Sequence, residues 1–498
     1  MAVSNLKNHE VWFVTGSQHL YGPKTLEKVA QNSQTIAEYL NDSSDIPVTI
    51  KWKPTVKTAD EITAICKEAN TDGSCIGLVL WMHTFSPAKM WIEGLRVLDK
   101  PFLHLHTQFN RDIPWSDIDM NYMNLHQSAH GCREFGFSCS RMRINRRVVV
   151  GHREDPSVPA QIGDWARAAA GVAELRQLKV ARFGDNMRDV AVTEGDKVEA
   201  KLRLGVTVDG FGVGDLVESM DAVSDSDIDS LIEEIVSNYS VVPELQPSGE
   251  RHESLRYSAR IEHGIRSFLD DRGYAAFTTT FEDLHGLKQL PGFAVQRLMK
   301  AGYGFGAEGD WKTSALLRTC KVMGAGLKGG ASFMEDYTYH LEEGNQMVLG
   351  AHMLEVCESI AAAKPSVEIH RLGIGKREDP IRSLFTAPAG NAINISMMDM
   401  GNRFRLLANE LDVKAFDKKM PKLPVACALW APKPDLATSA AAWIQAGGAH
   451  HSVFTMALNA DHLRDFAEML NMELLLIDAN TDINEFKKEI RINEVYYQ

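Results

Sequence analysis

The chain has 498 residues, of which 44% are apolar, 24% charged and 8% aromatic, and this composition excludes disordered, fibrous and low-complexity proteins. The 53 Lys and Arg against 66 Asp and Glu give a net charge of -13, which argues against a protein that coats nucleic acid. The N-terminus has no apolar signal core, no apolar run reaches the roughly 18 residues of a membrane span, and the 7 cysteines form no CxxC pair. We therefore expect a soluble, cytoplasmic protein with reduced thiols.

The first third of the chain alternates strand and helix patterns. Strands are predicted at Val11–Thr15, Val48–Trp52, Ile76–Trp81 and Phe102–Leu105, and helices after Pro23 and at Ala59–Glu68, Pro87–Leu98 and Ile162–Ala173. Such alternation favours a mainly parallel sheet with helices on both faces.

The same pattern restarts near residue 177. Strands are predicted at Leu178–Phe183, Leu204–Val208 and Ala275–Thr279, and helices at Ile228–Val236 and Leu255–Leu269. We interpret this part as a second α/β domain.

The last third of the chain is richer in strands. Strands are predicted at Ser332–His340, Met347–Met353, Ala392–Met400, Arg403–Leu411 and Leu423–Trp430. Their short spacings and the Gly, Asn and Pro residues between them favour an antiparallel domain. The predicted domains are therefore residues 1–177, 178–327 and 328–498, in agreement with roughly 100–200 residues per domain.

Two stretches, Gly304–Gly309 and Gly324–Gly329, match the GxGxxG pattern of dinucleotide-binding loops. That site needs a strand before the loop, whereas helical segments precede both stretches here. Glu308 inside the first stretch would also repel a pyrophosphate. We interpret the glycines as helix C-caps at Gly302 and Gly324 with a flexible loop, and not as a dinucleotide site.

A carboxylate stands in the middle of a predicted aromatic strand. Period-two alternation within Ser332–His340 places Glu335 on one face with Phe333, Tyr337 and Tyr339. Such a carboxylate is a candidate functional group.

A turn signal at Glu342–Asn345 predicts that this strand returns as a hairpin. A two-residue turn at Glu343–Gly344 places Glu335 directly opposite His352, and a turn at Gly344–Asn345 makes them diagonal neighbours. A three-residue loop would instead place them on opposite faces. Directly opposed Cβ atoms lie about 5 Å apart, close enough to share a metal ion, with a simple ion pair as the alternative.

Two adjacent histidines, His450 and His451, occur near the C-terminus. If His450–Phe454 is a strand, the two rings point to opposite faces, so only one can enter a given site. Spacing alone does not unite either of them with Glu308, Glu335 and His352.

Dispersed, ordered motifs occur along essentially the whole chain. They include VWFVTGSQHLYGP, MHTFSPAKMWI, FGDNMR, TTTFEDLHGLKQLPG, AEGDWKT, SFMEDYTYH, LGAHMLEVC, AGGAHHSVF and NEVYY. With these motifs the chain resembles the L-arabinose isomerase family. The resemblance implies a fucose/arabinose isomerase-like fold, in which two Rossmann-like, doubly wound α/β domains precede a β-rich, mostly antiparallel C-terminal domain.

The resemblance also implies the site residues and the assembly. The family's metal ligands fall on Glu308, Glu335, His352 and His451, and we expect the two glutamates to be catalytic as well. The substrate contacts fall on Gln18, Leu20, Tyr21, Met187 and Phe281, with His130 entering a neighbouring subunit's pocket. Family members are homohexamers or homotetramers with Mn²⁺ as the usual ion, which implies one ion per subunit here, with Co²⁺ or Mg²⁺ as alternatives. Cys132 replaces a glycine that is common in the family.

The chemistry of an aldose–ketose isomerase explains this set of residues. Oxygen-rich mixed ligation suits Mn²⁺, which acts as a Lewis acid on the sugar, while a glutamate moves the proton through a cis-enediol. The resemblance thus implies conversion of L-arabinose to L-ribulose, and of D-galactose to D-tagatose, without a nucleic-acid or membrane partner. A cytosolic sugar-binding protein without turnover is the alternative, and an NAD-dependent dehydrogenase is a third hypothesis.

Overall fold

The computed structural model describes residues 3, 5–374, 376–416, 418 and 420–497. The chain divides into two units. The first unit consists mainly of Ser4–Ala173 with Asp461–Asn471, and the second mainly of Glu174–Ala460 with Met472–Gln498. The three domain ranges given above remain predictions.

A five-stranded sheet forms the centre of the first unit. Its strands are β1 Glu10–Gly16, β2 Thr49–Trp52, β3 Cys75–Met82, β4 Phe102–His106 and β5 Val148–Val150. The accompanying helices are α1 Gly22–Asn41, α2 Ala59–Thr71, α3 Ile92–Val97, α4 Met120–Leu125, α5 Ser128–Arg141 and α6 Ser157–Gln177. All neighbouring strands are parallel, in the order β2-β1-β3-β4-β5. This is a doubly wound order with its switch point between β1 and β3.

The second unit begins with another parallel sheet. The strands of this part are β6 Lys179–Phe183, β7 Thr207–Phe211, β8 Ser240–Val241, β9 Ala276–Thr279 and β10 Gly304–Ala307. Its helices are α7 Lys197–Glu199, α8 Val213–Asp221, α9 Asp225–Asn238, α10 His252–Arg272, α11 Gly292–Lys300 and α12 Trp311–Met323. Four of the strands pair in parallel in the order β10-β9-β6-β7. The strand predicted at Leu204–Val208 begins only at Thr207, because Ala200–Leu204 is a turn of π-helix that ends at Gly205 in the left-handed conformation.

The C-terminal part is β-rich. Its strands are β11 Ala331–His340, β12 Met347–Ala351, β13 Ser366–Ile369, β14 Ile381–Leu384, β15 Gly390–Asp399, β16 Phe404–Lys414, β17 Cys427–Pro432, β18 His451–Thr455 and β19 Glu473–Ile477. The helices are α13 Leu436–Gln445 and α15 Ile483–Tyr496, whereas α14 Ala460–Met469, between them in the chain, lies almost entirely in the first unit. β13 pairs with β14 in antiparallel fashion and with β8 in parallel.

Strands of this part close into an antiparallel barrel. Neighbours follow the order β15-β18-β11-β12-β17-β16, and β16 also pairs with β15, which closes the ring. β19 joins β16 in parallel outside the ring. Trp430 is fully buried among the barrel's apolar side chains, and a Cβ on Gly350 would lie only 2.0 Å from its ring. Glycine at this position therefore makes room for the indole.

The parallel α/β sheets and the mostly antiparallel C-terminal part confirm the predicted fold class. Within the described part of the chain, none of the helices is both long enough and apolar enough to span a membrane.

Candidate active site

Glu308 lies at the carboxyl end of β10 and not in a flexible glycine loop. The strand is buried, and a Cβ on Gly304 would lie 2.0 Å from the carbonyl oxygen of Ser314 in α12. The glycine loop was therefore a wrong prediction, because these glycines let the helix pack closely on a strand. Glu308 itself has a φ of 61°, and its carbonyl oxygen accepts a hydrogen bond from the N–H of Met187 at 3.0 Å.

The hairpin of β11 and β12 has one of the turns that the sequence predicts, but the pairing of Glu335 differs from the prediction. The turn is centred on Glu343–Gly344, and the residue pairs next to it have the register that this turn produces. Tyr337 then forms a bulge, so that Glu335 pairs with Ala351. The prediction that Glu335 and His352 lie directly opposite each other was therefore wrong, because one extra residue on β11 shifts the pairing.

The two side chains nevertheless meet. His352 directly follows β12, and its Nε2 lies 3.6 Å from Oε1 of Glu335. The bulge also reverses the alternation along β11, so that Tyr339 pairs with Val348 on the face opposite Glu335, contrary to the prediction. The ring of Phe333 lies 4.9 Å from the imidazole of His352 in an edge-on arrangement.

His451 at the start of β18 pairs directly with Glu335. Its Nε2 lies 3.4 Å from Oε1 of Glu335 and 3.7 Å from Oε2 of Glu308. Burial would raise the pKa of Glu335, but His451 and His352 lower it. The imidazole of His451 is fully buried, yet its Nε2 makes no hydrogen bond. A buried nitrogen in this position fits a bound cation, since it faces two carboxylates and has no other partner.

His450 lies just before β18, so the alternation of a strand does not apply to it. Its Nε2 lies 3.5 Å from Oε2 of Glu308, and its ring is 4.2 Å from that of His451. In the part of the chain that the structure describes, Glu308, His450 and His451 form a group whose ligand atoms all lie within 4.8 Å of one another. Both histidines therefore approach the same site, contrary to the expectation that only one could.

His451 and His352 each have a second carboxylate on the other ring nitrogen. Nδ1 of His451 lies 3.1 Å from Oδ2 of Asp310, and Nδ1 of His352 lies 2.5 Å from Oε2 of Glu355. Burial would lower the pKa of His451, but the carboxylates of Asp310 and Glu335 raise it to about 9. Burial would also lower the pKa of His352, but the charge and hydrogen bond of Glu355 together with the charge of Glu335 raise it.

Asp310 and Glu355 were not among the site residues predicted from the sequence. Asp310 caps α12 by accepting hydrogen bonds from the N–H groups of Lys312 and Thr313, and an Asp at this spacing before a helix is a recognisable capping signal. Burial would raise the pKa of Asp310, but Lys312 lowers it. The capping pattern does not reveal a histidine partner, because that partner comes from a distant strand.

A cavity of about 290 Å³ opens onto these groups. Glu308, Glu335, His352 and Glu355 provide its acidic and basic lining. The apolar lining includes Met187, Phe281, Leu284, Leu290, Met353, Leu372 and Ile374. The structure thus brings two predicted substrate contacts, Met187 and Phe281, to the same cavity as three of the predicted ligands. A small polar molecule bound in this cavity would contact both its apolar lining and its charged groups.

The other predicted substrate contacts lie in the first unit. Gln18, Leu20 and Tyr21 directly follow β1, at the carboxyl end of the sheet beside its switch point, where doubly wound folds bind ligands. Gln18 donates a hydrogen bond to the carbonyl oxygen of Phe85 at 3.0 Å, and the ring of Phe85 lies 4.5 Å from that of His130. Phe85, which contacts both Gln18 and His130, was not among the site residues predicted from the sequence.

Comparison with known proteins matches three successive parts of the chain to one family. Family models described as the N-terminal, central and C-terminal domains of L-arabinose isomerase match residues 5–177, 179–326 and 330–473. The L-arabinose isomerase of Herpetosiphon aurantiacus is 60% identical over 99% of this chain and 98% of its own length. That of Tolumonas auensis is 59% identical over 99% of both chains, and that of Clavibacter sepedonicus is 58% identical over 99% of this chain and 98% of its own.

Proposed function

The chain belongs to the L-arabinose isomerase family and is thus an isomerase, and on this premise we propose that it converts L-arabinose to L-ribulose, and D-galactose to D-tagatose, in a metal-dependent reaction. The observation that carries the proposal is the convergence of Glu308, Glu335, His352 and His451 from separate strands. Three of them line one cavity whose apolar walls leave room for a small molecule.

We assign metal binding to these four residues. The Nε2 atoms of the histidines and the carboxylate oxygens face one another at 3.4 to 3.7 Å, and the Nε2 of His451 has no other partner. Two carboxylates and two imidazoles suit Mn²⁺, one per subunit, with Co²⁺ or Mg²⁺ as substitutes. When bound, the ion would polarise the carbonyl group of the open-chain sugar as a Lewis acid.

Glu308 and Glu335 move the proton in this proposal. Isomerisation removes the proton from C2 of the aldose and returns a proton to C1, by way of a cis-enediol, while a proton is exchanged between the oxygens on these carbons. General acid–base catalysis requires a carboxylate within hydrogen-bond reach of the proton it moves. Both glutamates line the cavity, which supports a role for either of them as base and then as acid.

We further propose a cytoplasmic homo-oligomer, hexamer or tetramer, with no nucleic-acid or membrane partner. All 7 cysteines are buried and free, which supports a reducing compartment. In this proposal Gln18, Leu20 and Tyr21 contact the sugar, and His130 enters from a neighbouring copy. The position of the first three at the switch point and the 81% exposure of Leu20 support a role in binding.

A ketose colour assay over a panel of aldoses tests the proposal. Protein treated with chelator should be inactive, and added Mn²⁺ should restore turnover of L-arabinose. Glu335→Gln should abolish that turnover, whereas Glu342→Gln, at the exposed tip of the same hairpin, should not. Binding of the sugar without turnover in the presence of Mn²⁺ would favour the sugar-binding alternative.

A further inference from the structure

Both histidines of the proposed metal site have similar polar surroundings. Nε2 faces Glu335 in each case, and Nδ1 faces a carboxylate, Asp310 for His451 and Glu355 for His352. A neutral imidazole that donates its Nδ1 proton to a carboxylate keeps the lone pair on Nε2, where a metal ion can bind. We infer that Asp310 and Glu355 are positioning residues that hold these two imidazoles in the metal-binding tautomer, an inference that rests on the proposed metal set.

The surroundings of Asp310 allow only one orientation of its carboxylate. Oδ1 accepts hydrogen bonds from the N–H groups of Lys312 at 3.1 Å and Thr313 at 3.3 Å, and it lies 3.1 Å from Nζ of Lys312. Oδ2 accepts a hydrogen bond from the hydroxyl of Thr313 at 2.7 Å and faces His451. The side chains of Asp310 and Lys312 are each 1% exposed. A carboxylate held in this way has no proton to give, so Nδ1 of His451 must be the donor.

Glu355 holds His352 with fewer partners. Its Oε2 is 2.5 Å from Nδ1 of His352, and its side chain is 11% exposed. The buried Arg382 interacts electrostatically with it. Since the carboxylate of Glu355 does not also cap a helix, a change here should disturb the imidazole less than a change at Asp310.

Asp310→Asn is the variant that tests the inference most directly. The amide oxygen is needed where the helix N–H groups and Lys312 point, so the NH₂ group must face Nδ1 of His451. That nitrogen must then accept, which moves the ring proton to Nε2 and blocks the atom that would bind the metal. Glu355→Gln can still turn its amide oxygen toward His352 and loses only the charge.

The measurement is the dissociation constant of Mn²⁺ on metal-free protein, read from the electron paramagnetic resonance signal of free Mn²⁺. We expect it to rise by about 100-fold in Asp310→Asn and about 10-fold in Glu355→Gln. Activity of Glu355→Gln should recover at saturating Mn²⁺, and the melting temperature of the metal-free variant should stay that of the parent protein.

Two carboxylate–histidine pairs outside the site provide matched controls. Asp164 Oδ1 lies 3.3 Å from Nε2 of His462, and Glu368 Oε2 lies 2.8 Å from Nε2 of His370. Asp164→Asn and Glu368→Gln should leave Mn²⁺ binding unchanged. Parent-like Mn²⁺ binding in Asp310→Asn, or equal losses in the control variants, would overturn the inference. If Asp310→Asn does not fold, Glu355→Gln decides by the same criterion. Mn²⁺ binding by the parent protein that does not depend on Glu335 would instead overturn the proposed metal set.

Discussion

Glu335 and His451 form a directly opposed pair across the antiparallel strands β11 and β18. On the same strand as Glu335, the ring of Phe333 lies 5.0 Å from the imidazole of His451 and 4.9 Å from that of His352. The relative positions of these side chains are therefore set by strand pairing and by a buried ring between the histidines. Rigid elements of this kind hold functional groups more accurately than loops do.

Replacing either glutamate by glutamine should remove turnover. Glu308→Gln and Glu335→Gln keep the size of the side chain but lose the charge that proton transfer and metal binding need. We expect the turnover number to fall at least about 100-fold at saturating Mn²⁺, with an unchanged circular dichroism spectrum. Glu342→Gln is the control, and parent-like activity in either site variant would refute its assignment.

Running the reaction in heavy water should label the product. A carboxylate that carries the proton from C2 to C1 can exchange it with solvent, so the ketose should carry some deuterium at C1, detectable by NMR. Substrate labelled with deuterium at C2 should correspondingly lose part of its label in ordinary water. Quantitative retention of that label would favour a direct hydride shift.

Mixed oligomers should recover activity if the site is shared between copies. Neither His130→Ala nor Glu335→Gln should be active alone. Random assembly of the two variants gives some sites an intact metal set and an intact His130 from the neighbour, so we expect about a quarter of the parent activity in a one-to-one mixture. Coexpression, purification and the ketose assay measure this. A fully active monomer in sedimentation would contradict the shared site.

His104 should make the protein sensitive to acid. It is 3% exposed, neither ring nitrogen has a hydrogen-bond partner, and burial lowers its pKa from 6.5 to about 3. Between these values the unfolded chain binds a proton that the folded chain does not, so the free energy of unfolding falls as the pH falls below about 6.5. When the pH is lowered from 7.5 to 5, the free energy of unfolding of His104→Leu should thus rise by about 2 kcal/mol relative to that of the parent protein.

Urea unfolding of both proteins at the two pH values measures this difference. His340→Leu, at an exposed position of the barrel hairpin, is the control and should show a smaller difference, because exposed ion pairs contribute little. An equal pH dependence in the parent protein and His104→Leu would contradict the prediction.

Much of the fold could be predicted from local patterns, and β10 shows where they fail. Buried parallel strands such as β3 are continuous apolar runs, so the sequence identifies them directly. β10 consists of Gly304–Ala307 and has only one large side chain, Phe305, which gives no strand signal. Its glycines are required by the close packing of α12, a tertiary contact that no local pattern expresses.

The residues proposed for the site came from motif resemblance, which says nothing about their geometry. Motif resemblance pointed to Glu335 and His352, and the turn was placed at Glu343–Gly344. The bulge at Tyr337 was not predicted, because β11 must match partners on both sides, β12 and β18, at once. The pairing of β11 with β18 joins residues more than a hundred positions apart, for which the sequence has no periodic signal.

The backbone conformation of Glu308 lowers the stability of the fold, whereas its side chain is proposed to be needed for turnover. With a φ of 61°, this residue adopts a conformation that costs a side chain other than glycine or asparagine about 1 kcal/mol or more. Substitution by glycine would relieve that cost and would at the same time delete a proposed metal ligand. Selection for a more heat-resistant chain and selection for a faster one would therefore act in opposite directions at this position, and a library screened for stability alone should accumulate inactive variants there.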